Sequence, residues 1–353
     1  MDAGAHERGG AAALRLDVSP RLRLPLLVLG FVSLVFGVAG GLARFSSLSI
    51  PGTAVALHGP LMVSAFFGTV ISLERAAALD RLWAYAAPLC AGLGGILLLL
   101  GFPVTGFALM ALAAAIFTLC NVLVIQRQAS LETVTLLAGA LAWLAGNIVL
   151  FEGGAAVPWW VAFFALTIGG ERLELSRYLK RPPWVRWMFG LLALLLVLLP
   201  VFPRALGLVL IALAAWLFAF DLARVTIRQD RLPRYVAACL LAGYFWLGLG
   251  GVLMALSTGY DAALHAIFVG FVFSMVFGHA PVILPAVLRV RFPYHAVLYL
   301  PLLVLHLSLA IRVFVSALLG AWGNAAAIAL FIVTAVVLVT TFDPRQGERA
   351  RSR

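Results

Sequence analysis

The sequence predicts an all-α, polytopic membrane bundle of about twelve transmembrane helices. Three observations carry that expectation. The 353 residues are 64% hydrophobic and 11% charged, against about 45–50% apolar and 25% charged in soluble domains. The apolar residues fall in runs long enough to cross a bilayer, separated by short loops. The basic residues concentrate in alternate loops, as the positive-inside rule requires of a multi-pass chain.

Taken in order, spans are expected at 23–43, 53–73, 83–101, 104–125, 133–151, 158–173, 185–202, 205–223, 235–256, 261–284, 295–316 and 322–341. The first follows MDAGAHERGGAAALRLDVSP, which lacks the apolar core of a secretory signal and reads as a disordered tail. The second, TAVALHGPLMVSAFFGTVISL, places His58 just inside its start. Cys90, Cys120 and Cys239 fall in spans three, four and nine without C-x-x-C spacing, so they read as buried structural thiols. The sixth span is short and runs into Glu171, Arg172 and Glu174, which makes it the weakest. The tenth carries His265, His279 and the phrase GHAPVILP, in which Pro281 and Pro285 loosen the backbone. The eleventh carries His306 and Arg312. No Ser/Gly-rich linker interrupts the series. One transmembrane domain is therefore expected at 22–342, between cytoplasmic tails at 1–21 and 343–353.

With the N-terminus in the cytoplasm, 22 of the 25 Lys and Arg residues fall on the inner side, and only Arg44, Arg204 and Arg312 fall outside. A miscounted span would scramble that bias. The expected location is a bacterial-type inner membrane with both termini cytoplasmic. The net charge of +11 then faces an anionic inner leaflet, and nucleic-acid binding is not expected.

LHGPLMVSAFFGTVIS around His58 aligns with LHAIFVGFVFSMVFGH around His265, 207 residues later. FFGTVISLERAAAL at 66–79 likewise aligns with FFALTIGGERLELS at 163–176. Spans two, six and ten are thus related, which suggests three four-helix repeats in one orientation. Easy alignment of apolar sequence is the competing explanation.

An ionisable side chain inside a membrane marks a functional site by default. His58 and His265 each lie about five residues into their span, so both sit about 7 Å below the outer boundary at 1.5 Å per residue. Two histidines at equal depth on two helices are what a bis-histidine haem b needs, the iron taking one imidazole on each face. Hydrogen-bonded packing is the alternative for each. His279 shares the face of His265 but lies about 21 Å further along the helix. It is a candidate ligand for a second metal, a proton relay, or a donor to a carbonyl freed by proline. His306 reads as structural ahead of ligation, and His295 as interfacial. Met62 and Met275, each four residues from a histidine, offer soft thioether ligands to copper or haem, with core packing as the alternative. Arg312 and Arg44 stand on the side of His58 and His265 and suit carboxylates such as haem propionates, with snorkelling to lipid phosphate as the alternative. Glu74–Arg75 and Glu171–Arg172 read as ion pairs that fix helix ends, with a carboxylate at a proton entry as the alternative.

At these residues the chain resembles the haem-copper oxidase catalytic subunit. That resemblance implies twelve helices in three four-helix arcs, with a low-spin haem held by histidines on helices two and ten. HGPLMVSAFFG and HAIFVGFVFSMVFGHA also resemble NnrS-like membrane proteins, a haem- and copper-associated group linked to nitric-oxide metabolism. Spans six and seven lack the copper-ligating histidines of the oxidases, and no oxygen-reducing centre of that type is expected. The leading functional expectation is a haem-binding membrane protein with a redox, nitric-oxide-related or sensing role and an electron-transfer or assembly partner. The alternatives are a cofactor-free transporter or channel, using a helix broken at Gly278–Pro285, and an assembly or scaffold subunit.

Overall fold

In the computed structural model, which describes residues 18–46 and 48–341, the chain is all-α. Helices occupy all twelve expected positions: α1 (Pro20–Ala43), α2 (His58–Leu79), α3 (Leu82–Leu99), α4 (Pro103–Arg127), α5 (Leu131–Phe151), α6 (Val157–Ser176), α7 (Pro183–Leu198), α8 (Pro203–Phe220), α9 (Arg231–Ala255), α10 (Tyr260–Leu288), α11 (Ala296–Phe314) and α12 (Ala317–Thr341). Among the described residues, ten of these are long and apolar enough to cross a membrane. The other two are α6, which ends in three charged residues, and α7, which has 16 residues. The protein is a multi-pass membrane protein. Of the expected tails, 1–17 and 343–353 lie outside the described residues, whereas Pro20 and Arg21, expected in the N-terminal tail, open α1.

Consecutive helices pack as neighbours, and α12 returns to pack on α1, so the bundle closes on itself. Inside this ring lie α2, α6 and α10, the second helix of each four-helix group. In α2 and α10 the apolar stretch is 61% buried, against 33% in α4 and α12. Every residue of α6 from Trp160 to Gly170 is buried. A helix apolar all round belongs in a core, and this explains why the span that looked weakest is the most enclosed. α10 touches α1, α2 and α6, and so joins the three groups at the centre.

Two local features shape the central helices. α2 contains a π-helical stretch at Leu61–Phe67, and α10 one at Ala266–Phe273. Each begins within a turn of its histidine. Wider turns of this kind concentrate at functional sites, and their matched position extends the resemblance between the two helices to backbone geometry. By contrast, the break expected at Gly278–Pro285 is absent. Helical structure is continuous over Ser274–Leu288 with Pro281 and Pro285 inside it.

Candidate functional site

The site is built where α2 and α10 begin. A turn at Leu57 (φ −103°, ψ 21°) ends a short helix, and α2 starts at His58–Gly59–Pro60. α10 starts after Gly259, whose φ of 59° is the left-handed conformation glycine adopts without strain. Both histidines thus stand in the opening turns of central helices, at the same end of the bundle.

Their rings face each other. The imidazoles of His58 and His265 have centroids 6.5 Å apart and planes within 15° of parallel. His58 Nδ1 lies 2.6 Å from the carbonyl oxygen of Gly37 on α1. His265 Nδ1 lies 2.7 Å from the carbonyl oxygen of Asp261. A carbonyl only accepts, so in both rings Nδ1 carries the proton and the neutral imidazole keeps its lone pair on Nε2. Hydrogen bonding of this kind fixes tautomer and ring orientation in metal-ligating histidines.

Close approach by α1 makes the His58 position possible. A Cβ on Gly40 would lie 2.1 Å from the Ala54 carbonyl oxygen, and one on Gly41 would lie 2.9 Å from Cε1 of His58. Only glycine leaves room for the segment and the ring.

Both histidines open onto a cavity of about 540 Å³, within the roughly 300–1,000 Å³ range of ligand pockets. Arg44, Arg312, Met62 and Trp160 also line it. The structure therefore brings His58, His265, Arg44 and Arg312, separated by up to 268 positions in the chain, to one site. Phe67, Phe268 and Phe273 line the cavity as well, with Phe164 packed behind them. Phe67 and Phe273 lie 5.2 Å apart, Phe67 lies 5.0 Å from Phe164, and Phe164 lies 5.9 Å from Phe268.

The arginines have partners within the chain. Arg312 Nη2 donates to Asp261 Oδ2 at 3.0 Å and Oδ1 at 3.3 Å, and its guanidinium lies over Phe45. Its side chain is 6% exposed, and its Nε–H is buried without a partner. Arg44 donates from Nε and Nη2 to the Val55 carbonyl oxygen. Asp261 is the residue that sequence reasoning missed. Its signal was present, because Asp261 and His265 are four apart and share a helix face.

The remaining candidates lie elsewhere. His279 is outside the cavity, and its Nδ1 donates to the Met275 carbonyl oxygen at 2.8 Å. That carbonyl belongs to the residue four positions earlier and is not one freed by Pro281 or Pro285. His306 has both nitrogens engaged: Nδ1 accepts from Trp246 Nε1 at 2.9 Å, and Nε2 lies 3.4 Å from Ser274 Oγ. This is a packing histidine. Met275 is buried against Gly243 and fills core space, whereas Met62 lines the cavity. Among the described residues, no group of three or more His, Cys, Asp or Glu side chains is placed to hold a metal ion. A haem that takes only two protein ligands does not require one.

Both expected ion pairs are corrected. Arg172 pairs with Asp221, at 2.9 Å and 3.2 Å, and not with its neighbour Glu171. Among the described residues, no ion pair joins Glu74 to Arg75. Adjacent residues on a helix point about 100° apart, and only those three or four apart face each other.

A family model described as a domain of unknown function, DUF8744, matches residues 23–340. The chain belongs to this family. The matched region takes in nearly all of the helical bundle, including both histidines and both arginines of the cavity. No curated protein and no solved structure matches the chain.

Proposed function

We propose that this DUF8744 member is a haem-binding membrane protein with a redox role, in which His58 and His265 ligate one haem b from opposite faces. The observation that carries the reading is the pair of facing imidazoles at 6.5 Å, each with Nδ1 committed to a carbonyl and Nε2 left to ligate. Two metal–nitrogen bonds of about 2 Å put the nitrogens about 4 Å apart, and the centroids, each set back by about 1 Å, about 6 Å apart. The metal–nitrogen length is that of zinc, used as a guide. The resemblance to the haem-copper oxidase catalytic subunit, with its low-spin haem ligands on helices two and ten, supports the same pair.

Haem would supply one-electron exchange at iron, with axial-ligand identity and surrounding polarity setting its potential. The chain's residues do the rest. Gly37 and Asp261 hold the two tautomers. Arg312, with a buried unpartnered Nε–H, and Arg44 present cationic groups suited to propionates. The phenylalanines beneath exclude water and lower the local dielectric. A haem held by both histidines would be suited to electron transfer rather than gas binding. A nitric-oxide-related or sensing role would require one histidine to leave the metal.

The visible spectrum of the purified protein tests this reading. Sharp reduced bands support it, and a fully folded, colourless protein overturns it in favour of a cofactor-free transporter or a scaffold subunit. Gly41→Val provides a local check. The new side chain must push the His58 ring away from Gly37, and haem content is expected to fall at least tenfold, as when a supporting partner of a ligand is lost. Unchanged content would show that His58 is not held for ligation.

The charge bias further supports a bacterial-type inner membrane with both termini in the cytoplasm and the histidine cavity on the outer side. Reporter fusions at residue 353 are expected to be active in the cytoplasm. Activity outside would reverse the orientation and place the cavity on the inner face.

A further inference from the structure

The two histidines are not supported alike. His58 has one neutral acceptor, the Gly37 carbonyl. His265 Nδ1 donates to the Asp261 carbonyl oxygen at 2.7 Å and also lies 3.2 Å from Oδ1 of the same residue's carboxylate. That carboxylate is in turn gripped by Arg312, whose position is fixed from behind by α12. A Cβ on Gly320 would fall 2.3 Å from the Arg312 Cα, so the two backbones are in near contact. An Arg312–Asp261–His265 chain therefore runs from the α11–α12 contact to one ligand and has no counterpart at the other.

A carboxylate beside an Nδ1–H polarises that bond, pushes electron density onto the imidazole and makes Nε2 a stronger donor to a metal. Stronger donation stabilises the more positive oxidation state. We propose that Asp261 is a positioning residue that lowers the reduction potential at this site through His265, with Arg312 limiting the effect by sharing the carboxylate. This rests on the haem reading. It adds that the two ligands are electronically unequal and that the inequality is set by an ion pair at the cavity mouth.

Asp261→Asn removes the charge while leaving the residue 261 carbonyl in place as a partner for Nδ1. The haem-loaded protein is expected to keep its reduced bands. The ferrous form is expected to be favoured about tenfold over wild type, which raises the midpoint potential by about 59 mV for a one-electron couple. The low-spin ferric signal in electron paramagnetic resonance shifts as well, because the ligand's donor strength has changed. Asp261→Glu is expected to move both values back toward wild type. An unchanged potential overturns the proposal, and so does a raised potential with an unmoved ferric signal, which marks a distant charge acting through space. If Asp261→Asn loses the bands, Asp261→Glu decides: bands at the wild-type potential support the role, and a colourless protein overturns it. A colourless wild type overturns the haem reading itself, whereas a coloured wild type with an insensitive Asp261 overturns only this step.

Discussion

His58→Ala and His265→Ala are each expected to abolish the bis-histidine absorption of the purified protein, while His306→Ala leaves it intact. The distinction follows from the ring nitrogens. His58 and His265 each spend Nδ1 on a carbonyl, and both residues line the cavity. His306 uses both nitrogens, receiving a hydrogen bond from Trp246 and meeting Ser274. On the proposed haem reading, loss of either histidine would remove the sharp low-spin bands even if some haem stayed in the cavity. The phenylalanine wall and the arginines persist in both variants, so folding yield and detergent-solubilised mass are expected to be unchanged. His58→Gly leaves a gap the size of the ring, and added imidazole is expected to restore part of the absorption. Retention of wild-type bands by either alanine variant would remove that histidine from the ligand set.

The fold was legible in hydropathy because membrane helices must satisfy their backbone internally, so each apolar run of adequate length becomes a helix. Two elements escaped that logic for physical reasons. α6 looked weak because Glu171, Arg172 and Glu174 interrupt its hydropathy, yet a central helix can carry charge where a partner such as Asp221 is buried with it. The π-helical stretches at Leu61–Phe67 and Ala266–Phe273 left no mark, since one added residue per turn changes the register and not the residue types. The histidine pair was legible because equal depth and repeated context survive in one dimension. Which group holds each ring was only partly so. Asp261 lies on the same helix as His265 and was within reach of an i, i+4 reading. Gly37 acts through its carbonyl on another helix, and nothing in its residue type announces that role.

The largest expected effect on stability is at the opposite end of the bundle. Arg172 and Asp221 form a two-bond pair with side-chain exposures of 5% and 0%. Asp221 also accepts from the Ala223 amide at 2.7 Å, which shapes the turn between α8 and the short helix Ala223–Thr226. Asp221→Ala leaves the Arg172 guanidinium buried without its carboxylate and frees that amide as well. Breaking one side of a buried pair costs about 3–5 kcal/mol, most of it the burden of an uncompensated charge. Arg172→Ala strands the carboxylate instead and is expected to cost a similar amount. Joint replacement by leucines, Arg172→Leu with Asp221→Leu, removes both charges and is expected to recover most of the loss, because apolar substitutes for a buried pair are often neutral or stabilising. Thermal unfolding followed by circular dichroism measures all three. If the double variant is as unstable as the singles, the pair does more than neutralise itself, and the Ala223 turn is the next place to look for the missing energy. If the single variants melt with wild type, water reaches this end of α6 and the pair is not buried in the membrane-embedded protein.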